Sequence, residues 1–204
     1  MTRPAPLPAA ASDVSESHRR FYDAALDLLA EEGYGALKLS RLCERLGLTT
    51  GAFYHAFDGW ADFTDRLLDF WYQERTADIG ARAHAEPDPA RRLDLLIESA
   101  LGLRHRAESA IRIWAGIDPR VRAIQDRADR DRIEVVAEAF VALTGDPDFS
   151  LRAARAAFYV LIGYEQVSAE QDVSALQWAL RSIRALIDAP PVIPVEAPDT
   201  GRSG

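Results

Sequence analysis

Apolar residues recur every three to four positions along nearly all of this 204-residue chain, and nowhere do they alternate with period two. That pattern leaves little room for a sheet and predicts an all-α fold. Phe21, Ala25, Leu28 and Leu29 fall at i, i+4, i+7 and i+8, one face of a helix over 17–32 that Gly33 ends. Tyr34 is then placed to fold back on the last turn. Leu39, Leu42, Cys43 and Leu46 predict a short helix over 40–46, broken by Gly47. Thr49 is a good N-cap for a third helix over 50–56, and Asp58 for a fourth that runs to about residue 79 with Phe63, Leu67, Phe70 and Trp71 inward.

Asp-Pro pairs punctuate the remainder. Asp88–Pro89, Asp118–Pro119 and Asp146–Pro147 each supply a capping carboxylate followed by a residue pre-set for the first helical turn. The stretch RHRAES at 104–109 interrupts one apolar pattern, and a last helix spans 173–187. The expectation is nine helices, three in a small head over 16–60 and six in a larger body over 61–188. The ends, 1–15 and 189–204, read as disordered tails.

Composition narrows the function classes. With 24 Lys and Arg against 32 Asp and Glu, the chain is acidic on average, which does not exclude a local basic face. No apolar run is long enough for a membrane span, and the N-terminus lacks a signal-peptide core, so a cytoplasmic location is expected. One cysteine, Cys43, permits neither an internal disulfide nor a Cys-based zinc site. The four histidines, at 18, 55, 84 and 105, have no metal-binding spacing, and no Gly-rich phosphate loop or G-x-S-x-G occurs. No catalytic residues, metal or cofactor are expected.

The segment LGLTTGAFYHAFDGW, from Leu46 to Trp60, carries more rings than one short helix can bury. Two short helices joined at Gly47 make a helix-turn-helix, the unit that lays its second helix in the DNA major groove. In that arrangement Leu48, Phe53 and Phe57 plug into the head core. Thr49, Thr50, Gly51, Ala52, Tyr54 and His55 remain on the outer side. Gly51 and Ala52 let the backbone come close to another surface, and Tyr54 and His55 carry hydrogen-bonding tips. Lys38, Ser40 and Arg41 join them as candidate DNA-binding residues, and Lys38, Arg41 and Arg45 supply local positive charge, with Arg45 facing away from the groove. Trp60 is read as packing, and Cys43 as a buried, inert thiol.

The run RFYDAALDLLAEEGYGALKLSRLCERLGLTTGAFYHAFDGWADF resembles the head of the TetR-type transcriptional regulators, through Ala24–Ala25, Glu32–Gly33–Tyr34, the Leu-Gly-Leu turn and Gly-Ala-Phe-Tyr-His-x-Phe at 51–57. The chain departs from the family at Lys38, where Thr is common, at Trp60, where a Lys is common, and at Ala56, where a His or other polar residue is common. The resemblance implies a repressor that binds a pseudo-palindromic operator in double-stranded DNA as a homodimer and is released by a small-molecule effector. Dimerisation is expected on the last two helices, through Leu151, Ala154, Phe158, Leu161, Ile162, Leu176, Leu180, Ile183 and Ile187. The effector pocket is expected at Trp71, Arg104, Glu108, Arg112, Trp114 and Phe158, lined by apolar groups, with Arg104 or Arg112 pairing an acidic group. A solvated turn is the competing reading of Arg104, His105, Glu108 and Arg112. Asp129, Arg130, Asp131 and Arg132 read as an exposed charged face, and Glu165 and Gln166 as the edge of a pocket or an interface. Two other functions stand beside the repressor: a regulator-like protein that acts by protein contact without DNA, and a helical enzyme.

Overall fold

The computed structural model describes residues 15–167 and 171–188. The two tail assignments therefore lie outside the described residues, except for Ser15, whose hydroxyl accepts from the His18 backbone N–H at 3.3 Å and caps the first helix. Among the described residues every regular element is helical. The helices are α1 (Glu16–Glu32), α2 (Leu39–Leu46), α3 (Thr50–Ala56), α4 (Trp60–Tyr72), α5 (Asp78–Ala85), α6 (Pro89–Leu101), α7 (His105–Ala115), α8 (Pro119–Thr144), α9 (Pro147–Gln166) and α10 (Val173–Ala185). A π turn over Gln73–Ala77 joins α4 to α5 without a break, so ten segments form the nine expected rods.

The caps follow from the sequence with one shift. Asp88, Asp118 and Asp146 each accept from backbone N–H groups in the next turn, with proline behind them. Gly47 takes the left-handed conformation (φ 65°, ψ 30°), which a side chain would resist, and so stops α2. The cap of α4 sits at Gly59 rather than at Asp58. Its φ of 138° is reachable only without a Cβ, and Asp62 accepts the Asp58 N–H at 3.1 Å from inside the helix. Tyr34 packs against the buried cluster that includes Leu28 and Leu29 of α1, and its ring also stacks on Trp114, centroids 5.0 Å apart, because α7 lies alongside.

The head has no core of its own. Phe21, Leu28, Leu42, Phe53, Phe57 and Phe63 form one continuous buried cluster with Leu67, Trp71, Ile111, Trp114, Val121 and Ala128 of the body. α1 packs along α7, and Arg104 ties the two ends together through Asp23 at 3.1 Å and Asp27 at 2.9 Å. The sequence break at RHRAES is thus the start of α7, neither a solvated turn nor a polar pocket wall. Two smaller clusters complete the body, one around Leu93, Leu96, Ala139 and Phe140, the other around Leu103, Leu161, Leu176 and Leu180. No helix among the described residues is long and apolar enough to cross a membrane.

Candidate nucleic-acid interface

Phe53 anchors α3. Its ring is fully buried and meets Phe21, Phe57 and Phe63 within 6 Å, mostly edge to face. Burying a side chain of this size contributes about 1.5–3 kcal/mol, and with period 3.6 it decides which way the rest of α3 looks. Thr49 caps the helix by accepting the Ala52 N–H at 3.3 Å. Thr50, Gly51, Tyr54 and His55 are then exposed, Tyr54 by 60%, and Ala52 is half-buried. Trp60 packs against Phe53 and Phe63 at 6.0 and 5.1 Å, as expected for a packing ring. His18 reaches the Ala56 carbonyl at 3.0 Å, tying α1 to the end of α3.

On α2 and just before it, Lys38 and Ser40 are exposed, and among the described residues Lys38 makes no ion pair. Arg41 is different. Its guanidinium grips Glu32 through two bonds, at 2.8 and 3.1 Å, and reaches Glu44 at 2.8 Å. Those carboxylates push the Arg41 pKa up, and its hydrogen bonds hold Glu32 below the usual carboxylate range. Arg45 does the same with Glu31 at 2.6 Å. The local positive charge read from Arg41 and Arg45 is therefore internally neutralised, whereas Lys38, among the described residues, keeps a cation without an ion pair just before α2.

The body residues singled out from sequence do not form one pocket. Trp71 is buried and donates through Nε1 to Glu108 at 2.7 Å. Arg112 makes a two-pronged pair with Asp129 at 2.8 and 2.9 Å, and Trp114 lies under Tyr34. Of that set Phe158 alone lines an apolar cavity in the body. That cavity, about 100 Å³, is walled by Ile79, Leu93, Leu96, Ile97, Ala100, Val135, Phe140, Ala157, Phe158 and Leu161, with Arg75, Thr76, Arg132 and Arg184 among the lining residues.

Of DRDR at 129–132 only Arg130 is exposed; Asp129, Asp131 and Arg132 are half-buried and paired. Arg132 donates to Glu108 at 3.0 Å, to the Thr76 hydroxyl at 3.0 Å and to the Arg75 carbonyl at 3.3 Å. Tyr72 donates to Asp131. The signal was present in the sequence: Val121, Gln125, Ala128, Arg132, Val135 and Ala139 recur at alternating steps of four and three, and Arg132 sits on that inward seam. Glu165, read as an edge residue, is buried against His105, Nδ1 to Oε1 3.5 Å, while Gln166 is exposed and donates to the Ser109 hydroxyl.

Of the residues expected at a dimer interface, Ala154, Leu161, Leu176 and Leu180 are buried in their own chain, and Phe158, Ile162, Ile183 and Ile187 are half-buried. Leu151 faces out. The uncovered surface of α9 and α10 carries Tyr159, 67% exposed, and Trp178, 73% exposed.

Residues 21–64 match the family model described as bacterial regulatory proteins, tetR family. No curated protein matches the chain. Among solved structures it is similar to a transcriptional regulator from Rhodococcus sp. Rha1, with 20% identity over 87% of this chain and 100% of that one, TM-score 0.68. A TetR transcription regulator from Haloarcula marismortui shares 19% identity over 85% and 97%, TM-score 0.67. A regulator from Saccharomonospora viridis, solved in complex with choline, shares 16% over 85% and 96%, TM-score 0.66. Residues 21–64 thus match the tetR family of bacterial regulatory proteins, and the described residues share the fold of these transcriptional regulators.

Proposed function

We propose that this chain is a cytoplasmic repressor that binds a pseudo-palindromic operator in duplex DNA as a homodimer and is released by a small molecule held in the body. The observation that carries the reading is the outward face of α3. Phe53 and Phe57 are locked inward, so Thr50, Gly51, Tyr54 and His55 stand in solvent beside Lys38 and Ser40. Backbone-close small residues flanked by hydrogen-bonding tips suit a groove floor with phosphate walls. The π-linked α4–α5 rod supports the effector half. Trp60 and Phe63 fix its start in the head, and Thr76 and Ile79 line the cavity at its other end. A ligand that prefers one tilt of this rod shifts the spacing of two heads by the difference in its affinity for the two states. The uncovered side of α9 and α10, with Tyr159 and Trp178, is the surface we assign to the second copy.

The test is selection of duplex DNA from a random pool by the purified protein, followed by sedimentation of the complex. Enrichment of an inverted repeat, bound by two chains, supports the proposal. A second reading, protein contact without DNA, has one observation in its favour: Arg41 and Arg45 are already paired, and residues 16–60 carry five Lys and Arg against seven Asp and Glu. Absence of any salt-dependent DNA retention would favour that alternative.

A further inference from the structure

We infer that the body cavity is built for a small, largely apolar molecule carrying a single negative charge, with that charge taken at the Arg75–Arg132 corner. The inference rests on the reading of the cavity as the effector site and names the chemistry of what enters it. Three arginines, Arg75, Arg132 and Arg184, are among the lining residues, and among the described residues no Asp, Glu, Lys or His is. A cationic ligand would meet like charge and no acceptor of opposite sign. Nor do the walls supply an aromatic cage for a quaternary ammonium, since among the described residues Phe140 and Phe158 are the only rings that line the space.

The three guanidiniums are not equivalent. Arg184 faces Asp94 at 3.0 Å, and Arg132 faces Glu108 at 3.0 Å. Arg75 is half-buried, and among the described residues its side chain makes no hydrogen bond or ion pair. A guanidinium beside an apolar space gains a charge-assisted bond when a carboxylate enters, stronger than a neutral contact. The volume, about 100 Å³, is about two thirds of that of a cavity of about 150 Å³ that holds benzene, so a six-carbon chain or a single ring is the upper limit of the apolar part it can enclose.

Position gives this corner a second consequence. Arg75 and Thr76 both belong to the π turn in the α4–α5 rod, and π turns concentrate at functional sites. Arg132 is bonded to that turn at the Arg75 carbonyl and the Thr76 hydroxyl. An anion placed there therefore acts on the one irregular point of the rod that begins in the head.

The test uses the full chain without DNA, titrated calorimetrically with hexanoate, 1-hexanol and hexylammonium. Hexanoate is expected to bind about tenfold or more tightly than 1-hexanol, the scale of one charge-assisted bond, and hexylammonium not measurably. Arg75→Gln should erase the preference while leaving 1-hexanol binding in place. Ala157→Phe, or the milder Ala100→Leu, should abolish binding of both by filling the space, with melting curves showing that each variant folds. Equal affinity for the three probes, preference for the ammonium, no binding by any, or hexanoate binding that survives the filled cavity would each overturn the inference. Operator release is measured separately. Selective hexanoate binding that leaves DNA bound upholds the anion site and removes its effector role; release of DNA by probes without charge preference does the reverse.

Discussion

Glu108 and Arg132 face each other at 3.0 Å between α7 and α8, their side chains 3% and 10% exposed. Both oxygens of Glu108 are used, one by Arg132 and one by the Trp71 indole, and the guanidinium lies 5.4 Å from the Trp71 ring. This trio joins the middle of the rod that leaves the head, just before its π turn, to the two helices behind it.

Breaking that pair by Glu108→Ala leaves a buried guanidinium without its counter-charge, and should cost about 3–5 kcal/mol in urea unfolding. The double change Glu108→Leu with Arg132→Met should recover most of the loss, because neither charge then needs a partner. A double variant no more stable than the single one would refute the account.

On α3, Tyr54→Ala should weaken binding to all duplexes alike, since the exposed ring is assigned to the phosphate wall, whereas Thr50→Ala should change which sequences are preferred. Lys38→Ala should lower the slope of log affinity against log salt by about one. Gel-shift titrations on an operator and a scrambled duplex, at several salt concentrations, separate these effects.

Arg41 leads to the opposite expectation. Glu32 and Glu44 hold its guanidinium, so Glu32→Gln with Glu44→Gln should free a cation next to Lys38. Non-specific DNA affinity should rise, with a steeper salt slope by about one. An unchanged slope would mean that Arg41 does not reach phosphate when released.

Trp178→Asp should give a folded monomer in sedimentation velocity, because the ring stands on the uncovered side of α10. Leu161→Asp should instead destabilise the chain itself, since Leu161 is buried within its own subunit. A dimer persisting in Trp178→Asp would move the interface elsewhere.

Glu165 sets a pH dependence. Burial raises its pKa above the ordinary 4.5; the His105 hydrogen bond opposes this, Glu108 adds to it, and Arg132 lowers it. Arg112 is a further charge near it. Below 4.5 both folded and unfolded chains carry the proton, and the group has no effect on stability. As pH climbs from there to the folded value, only the unfolded chain loses its proton, so stability falls and then levels off. Glu165→Gln should remove that fall. Its melting temperature should exceed that of the parent above the transition, and the difference should shrink on acidification.

Period, glycine and Asp-Pro pairs by themselves determined the nine rods, because caps and helical faces are local properties that a stretch of ten residues contains. The outward face of α3 was legible for the same reason: placing Phe53 and Phe57 inward places Tyr54 and His55 outward. Tertiary structure decided which charges are surface charges. Arg41 and Arg132 look alike in the sequence, yet one meets Glu32 from the end of α1 and the other Glu108 from α7, partners 9 and 24 residues away. It also decided that Trp71 and Trp114 are packed at the head–body junction, while the space lies among α5, α6, α8, α9 and α10. A cavity is what several helices fail to fill together, so no single helix's pattern contains it. Leu161 and Leu180 turned inward by the same logic: an apolar face records that something covers it, and only the packed chain shows whether its own helices or another copy's do.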